Sequence, residues 1–202
     1  MMYADEEFSA FRRHPWHGLK AHANEAAKDI VTAYIEMLPN DHVKYELDKE
    51  SGYLMVDRPQ RTTAAPPALY GFIPRTYCAE EVAKNCQHAD IADGDPLDIC
   101  VYSERLIDRT DIILQARVIG GIQMIDGGEA DDKIIAVLDG DNIWGNITDI
   151  ADLPPVMVAR LQHYFSTYKM IPGKEVDIRV DYVYGREEAL KVIEAAQTDY
   201  NN

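Results

Sequence analysis

The chain predicts a mainly β fold with flanking helices, an α+β arrangement built on a closed β-barrel. Three observations lead there. Many short β-type runs are separated by turns rich in Gly, Pro and Asp. The two helical patterns both fall late in the chain. No repeat, low-complexity tract or linker divides the 202 residues, so one domain with a sizeable core is expected over 1–202.

Residues 1–30 read as an N-terminal extension packing on the barrel. Within it, His14-Pro15-Trp16-His17-Gly18 is a turn-like aromatic stop. Its histidines could ligate a metal, but docking onto the body is the preferred reading. Strands are expected at 34–38 and 43–47. Asp48-Lys49-Glu50-Ser51-Gly52 reads as a solvated turn into a strand at 53–56. Further strands are expected at 97–102, 111–119, 133–138 and 176–184. In the first of these Leu97, Ile99 and Val101 share one face, and Asp98 takes the other. Asp152 can N-cap a helix with Pro154 and Pro155 in its first turn and a stripe of Met157, Leu161, Tyr164, Phe165 and Tyr168. A last helix over 187–198 places Ala189, Val192, Ile193 and Ala196 on one face.

The net charge of −15 argues against a nucleic-acid partner, which needs basic patches, and suits a protein that concentrates cations. No run is apolar for long enough to span a membrane, and residues 1–10 lack the pattern of a signal peptide. Cys78, Cys86 and Cys100 make an odd set without CxxC spacing, which points to reduced thiols and a cytoplasmic setting. Cys100, inside a strand, reads as a packed thiol.

The chemistry concentrates in Asp93-Gly94-Asp95-Pro96-Leu97-Asp98. Three carboxylates in six residues repel each other unless hard cations sit between them, and oxygen-only ligands favour Mg²⁺ or Mn²⁺ over zinc. Asp95 precedes a proline, which holds its backbone extended. A second acidic segment runs from Asp126 through Gly127, Gly128, Glu129 and Asp131 to Lys133. Around these anions stand Lys44, Arg58, Tyr70, Lys133, Tyr168 and Lys169. Arg suits bidentate phosphate contact, Lys adds point charge, and a phenol donates to phosphate oxygens without charge. This is the composition of phosphoryl transfer to water. The acidic segment does not fit an EF-hand, because counting from Asp93 the sixth position is Asp98 where Gly is required. No Walker A or dinucleotide fingerprint is present. Asp139-Gly140-Asp141-Asn142 lacks a third carboxylate and reads as a loop.

These blocks, in this order, resemble the soluble family I inorganic pyrophosphatases. The resemblance rests on Ile35-Glu36, the run Lys44 to Gly52, Val56-Asp57-Arg58, Tyr70-Gly71, the triple-Asp segment, Asp126 to Lys133, and Tyr168-Lys169. The segment around Trp16 and Asp98-Ile99-Cys100 are most similar to the chlamydial-type branch. The resemblance implies an OB-like barrel and Mg²⁺-dependent hydrolysis of pyrophosphate, with several ions per site and Mn²⁺ as a substitute. It implies that Asp93, Asp98 and Asp131 ligate the tighter ions, with Asp98 shared between two. Asp126 and Glu36 would ligate ions that arrive with substrate. Asp95 matches the carboxylate that orients and deprotonates the attacking water. Lys44, Arg58, Tyr70, Lys133, Tyr168 and Lys169 match the pyrophosphate-binding groups, and Glu46 and Asp57 match supporting positions. A homo-oligomer, hexamer or dimer, is also implied. Pro66 stands where many bacterial members carry a tyrosine, so an altered affinity or pH optimum is expected. The alternatives are a hydrolase of other polyphosphates and a non-catalytic metal- or phosphate-binding homologue. Competition between substrates separates the first, and turnover measured beside binding separates the second.

Overall fold

The computed structural model describes residues 12–171, 173 and 177–202. Its strands are β1 (Ile30–Met37), β2 (Val43–Leu47), β3 (Leu54–Pro59), β4 (Leu69–Phe72), β5 (Ile91–Ala92), β6 (Asp98–Tyr102), β7 (Ile112–Asp126), β8 (Glu129–Ala130), β9 (Lys133–Leu138) and β10 (Ile178–Gly185). Three helices accompany them: α1 (Glu80–Ala83), α2 (Pro155–Thr167) and α3 (Arg186–Asn201). Strands β1, β4, β6, β9 and β7 pair in that order, and β7 pairs back onto β1. The ring therefore closes and leaves its members no free edge. β10 extends it along the far half of β7, and β2 with β3 forms a separate hairpin.

Within the ring β6 and β9 run parallel, in register from Asp98 opposite Lys133 to Tyr102 opposite Val137. Both are apolar on both faces, as parallel strands covered from two sides must be. Ile99, Val101, Ile134 and Ala136 join the core that α3 covers through Ala189, Val192, Ile193 and Ala196. Cys100, Tyr102, Ile135 and Val137 join the core that α2 covers through Leu161, Tyr164 and Phe165. The alternation expected for β6 is correct, but its second face is as dry as its first.

Several boundaries differ from expectation. β7 runs through Gly120 and Gly121 to Asp126 instead of ending at Ile119. The glycines continue the strand because β10 lies against them: a Cβ on Gly120 would meet the Tyr184 carbonyl at 2.4 Å, and one on Gly121 would meet the Tyr184 ring at 2.3 Å. β1 begins at Ile30, inside the stretch assigned to the extension. Val176, the expected start of the last strand, and residues 1–11 of the extension lie outside the described residues. β4 and α1 were not anticipated as elements. α2 starts at Pro155, not after an Asp152 cap. Leu153 and Pro154 each precede a proline and are held at ψ 139 and 128, which excludes helix before residue 155. Asp152 instead ends a single 3-10 turn. Asp149 opens that turn, accepting from the Ala151 amide at 3.0 Å, and its other oxygen accepts from the Arg186 amide at 3.0 Å, capping α3.

The His14–Gly18 turn docks onto the body. Trp16 is buried with Tyr34, Leu47 and Phe72, and its indole donates to the Thr76 carbonyl at 2.8 Å. His14 Nε2 lies 3.2 Å from the Lys49 carbonyl, and His17 Nδ1 lies 2.7 Å from the Tyr200 hydroxyl. These contacts favour docking over metal ligation for the two histidines.

Two substitutions test this framework. A Cβ on Gly71 would lie 1.8 Å from the Tyr34 carbonyl across the β1–β4 pair. Gly71→Ala is therefore expected to destabilise by about 3 kcal/mol in denaturant titration; a loss below about 1 kcal/mol would refute the close approach. Asp149→Ala should cost about 1 kcal/mol through the lost caps. The amides of Ala151 and Arg186 lower the Asp149 pKa in the fold. Its contribution is thus complete above the ordinary carboxylate pKa and is lost as pH falls through the lowered value. The variant should fall short of wild type at pH 7 and approach it as pH falls below the ordinary carboxylate range; a deficit that does not shrink with acidification would contradict this.

Candidate active site

The site continues the face that α2 covers. Side chains alternate along each strand, so Asp98 lies on the side of Cys100 and Tyr102, and Lys133 on the side of Ile135 and Val137. Along β7, Ile122 and Met124 are buried and Asp126 ends the same row. Where α2 stops covering this face, the row turns from apolar to charged. A cavity of about 250 Å³ opens there.

Eleven of the twelve expected site residues line it: Lys44, Arg58, Tyr70, Asp93, Asp95, Asp98, Asp126, Asp131, Lys133, Tyr168 and Lys169. Each arrives from a different local device. The β2–β3 hairpin pairs Lys44 with Arg58 across its strands. Glu46 and Asp57 hold Lys44 at 2.9 and 3.2 Å, and Asp57 also holds Arg58. The triple-Asp segment is tied by its backbone. Cys78 N–H donates to the Asp95 carbonyl at 2.8 Å, Gly94 N–H to the Cys78 carbonyl at 3.0 Å, and the Asp95 amide to the Asp93 carboxylate at 3.1 Å. Lys169, just past α2, pairs with Asp126.

The twelfth residue, Glu36, lies off the main cavity. It is buried and accepts from the Leu47 amide at 2.7 Å. It lines an adjoining space of about 70 Å³ with Lys44, Tyr70, Asp95 and Asp98. Burial, reinforced by the Asp98 charge, pushes its pKa up to about 8.

The electrostatics centre on Lys133. Its side chain is 3% exposed and its ammonium pairs with both Asp98 and Asp131. Burial works to lower its pKa, but Asp131 and Asp98 prevail and raise it, so the ammonium stays charged. Tyr70 donates to Asp98 at 2.5 Å. Burial, then the Asp131 charge, pushes Asp93 up to about 8, and burial likewise raises Asp98.

The donor set fits hard divalent cations. The cavity wall carries six carboxylates, counting Glu129, against four Lys and Arg side chains, and no His or Cys. Lys133 pairs with both Asp98 and Asp131, and no three acidic, His or Cys groups close on one point among the described residues. Asp139-Gly140-Asp141-Asn142 is a loop, as expected: Asp141 accepts from the amides of Glu104, Ile143 and Trp144.

Some lining residues were missed. Glu129 pairs opposite Asp126 between β8 and β7 and shares the two-residue period with Asp131, a signal present in the sequence. Gln60 follows Arg58 by the same period, and Tyr164 precedes Tyr168 by one helical turn. Lys49 sits on an exposed turn, as expected, yet reaches the site. Its ammonium pairs with Asp95, because the hairpin tip folds over the triple-Asp segment. Pro66 is buried and absent from the cavity wall.

Comparison with known proteins agrees with this arrangement. The family profile described as inorganic pyrophosphatase matches residues 33–201. The inorganic pyrophosphatase of Chlamydia caviae is 47% identical over 199 residues, covering 94% of this chain and 91% of that one. A soluble inorganic pyrophosphatase of Chlamydomonas reinhardtii is 39% identical, covering 93% and 88%. Among solved structures, the inorganic pyrophosphatase of Thermus thermophilus superposes with a TM-score of 0.76 at 30% identity, covering 91% of this chain and 98% of that one. By sequence over nearly its whole length, and by fold, the chain belongs to the inorganic pyrophosphatase family.

Proposed function

We propose that this cavity hydrolyses inorganic pyrophosphate to two phosphates with Mg²⁺ as its working ion, and that Mn²⁺ can substitute. The observation that carries the reading is the wall itself: carboxylates and cations interleaved around a cavity of about 250 Å³, at the small end for ligand sites. That volume and polarity favour a small polyanion over a nucleotide. Asp93, Asp98, Asp126, Asp131 and Glu36 are the groups that would hold the ions. Divalent cations bound there would neutralise substrate charge and make water more acidic.

The chain's own residues divide the remaining work. Asp95 accepts the proton of the attacking water at its carboxylate. A bond forms from that water oxygen to one phosphorus as the bridging P–O bond breaks in line. Lys44, Arg58, Lys133 and Lys169 offset charge on the phosphoryl oxygens, and the phenols of Tyr70 and Tyr168 add neutral donors. Burial keeps both phenols protonated, because it raises each pKa. The same reading takes 1–202 as one domain with residues 1–30 packing on the barrel, and expects a cytoplasmic homo-oligomer, hexamer or dimer.

Asp95→Asn should lower kcat by about 10²- to 10⁴-fold while metal binding, followed by calorimetry, stays intact. Equal turnover in both proteins would move the base to another residue. Treatment with a chelator should abolish phosphate release, and Mg²⁺ should restore it; full activity in the metal-stripped protein would overturn the metal-dependent mechanism. In competition, pyrophosphate should exclude nucleoside triphosphates from turnover. A preference for the latter would favour the polyphosphate alternative.

A further inference from the structure

The buried phenols of this protein fall into two groups. Tyr34, Tyr70, Tyr102 and Tyr184 each donate to a protein oxygen: Asp111 at 2.5 Å, Asp98 at 2.5 Å, the Met157 carbonyl at 2.9 Å and Asp132 at 2.7 Å. Such pairing is what a buried hydroxyl needs, since an unmet donor costs about 1–3 kcal/mol. Tyr164 and Tyr168 differ. Both line the cavity, and among the described residues neither hydroxyl donates to a protein acceptor.

Tyr164 is 7% exposed, so solvent reaches little of it. Its ring packs against Phe165 and Tyr168 with centroids 5.1 and 5.3 Å away, which fixes its direction on the last turns of α2. Gln60 and Arg58 line the same cavity beside it, and burial, outweighing the Arg58 charge, keeps the phenol protonated. Gln60 is anchored in turn, its backbone amide donating to the His42 carbonyl at 2.8 Å. Arg58 and Gln60 share one side of the hairpin by strand period. The phenol thus stands on the cavity wall with Gln60 and Arg58, its proton not taken by a protein acceptor among the described residues.

We propose that Tyr164 is a further substrate-binding residue, donating its hydroxyl to an oxygen of the phosphoryl group held by Arg58, with Gln60 fixing its orientation. This rests on the cavity being the pyrophosphate site. A second phenol one helical turn from Tyr168 gives α2 two neutral donors beside the cations. Neutral donors add hydrogen bonds to a polyanion without adding charge.

The test is Tyr164→Phe in the full-length protein, which keeps the ring contacts and removes only the hydroxyl. The KM for pyrophosphate in saturating Mg²⁺ should rise roughly tenfold, as loss of a hydrogen bond to a charged acceptor predicts. The melting temperature should not change. Calorimetric binding of inorganic phosphate should weaken in parallel. Gln60→Leu should raise KM by a smaller factor, and adding it to Tyr164→Phe should do nothing further, because it acts through the lost hydroxyl. Unchanged KM and phosphate affinity in Tyr164→Phe would overturn the inference and leave Tyr164 a packing residue. So would a lowered melting temperature with KM intact. A wild type that neither binds nor cleaves pyrophosphate would remove the site reading itself, and this inference with it; wild-type turnover beside an unaltered variant removes this inference alone.

Discussion

One buried ammonium governs the charge balance of this protein's cavity. Lys133 sits between Asp98 and Asp131 with almost no exposure, and Asp93 is close enough to feel the same field. A lone carboxylate at that depth would take up a proton, and a lone ammonium would shed one. The carboxylates keep Lys133 charged, but one ammonium is shared among three acidic groups. Burial raises Asp93 and Asp98, and the repulsion among these carboxylates adds to it. A site with that surplus gains by taking in cations, and cations held there in turn suit a polyanion. On the proposed reading, affinity for metal and affinity for phosphate follow from one imbalance.

The parallel pairing of β6 with β9 is what sets Lys133 opposite Asp98. The same pairing makes both strands apolar on both faces further along. The charged cluster is therefore the end of a row whose remainder is core, and α2 covers that remainder. Leu161 and Phe165 pack the dry part while Tyr164, Tyr168 and Lys169 reach the wet part, so one helix both stabilises the face and furnishes the cavity. A slip of one residue between β6 and β9 would remove the ion pair and the core contacts at once.

The carboxylates and cations were legible in the sequence because they lie in short blocks whose chemistry has few other uses. The mainly β fold and the two long helices were legible from periodicity. What failed to show were features set by distant partners. Gly120 and Gly121 looked like a strand end, and only the approach of Tyr184 explains why β7 continues through them. β4 is four residues long and contains a glycine, too little for a strand pattern. Four-residue α1 depends for its start on Asp199 of α3, which accepts from the amides of Ala79, Glu81 and Val82. Glu129, Gln60 and Tyr164 each stood one structural period from a residue already singled out, so their signal was present but unused. Lys49 had no such signal, because its partner depends on how the hairpin tip folds.

That tip connects the N-terminal turn to the proposed base. His14 contacts the Lys49 carbonyl, and the Lys49 ammonium pairs with Asp95. A second route reaches the backbone of the same residue. The Trp16 indole donates to the Thr76 carbonyl, and its own carbonyl accepts from the Arg75 amide at 2.9 Å. The Thr76 hydroxyl accepts from the Leu97 amide at 2.9 Å, and Cys78 N–H holds the Asp95 carbonyl. Asp95 is thus gripped through its backbone by the segment that Trp16 braces, and through its side chain by the turn that His14 braces. A carboxylate that must accept a proton from one water in one direction depends on such a hold, since a shift of about 1 Å can cost roughly 10²-fold in rate. The aromatic turn at 14–18 lies outside the closed ring of strands, yet it is tied to both the backbone and the side chain of the proposed base.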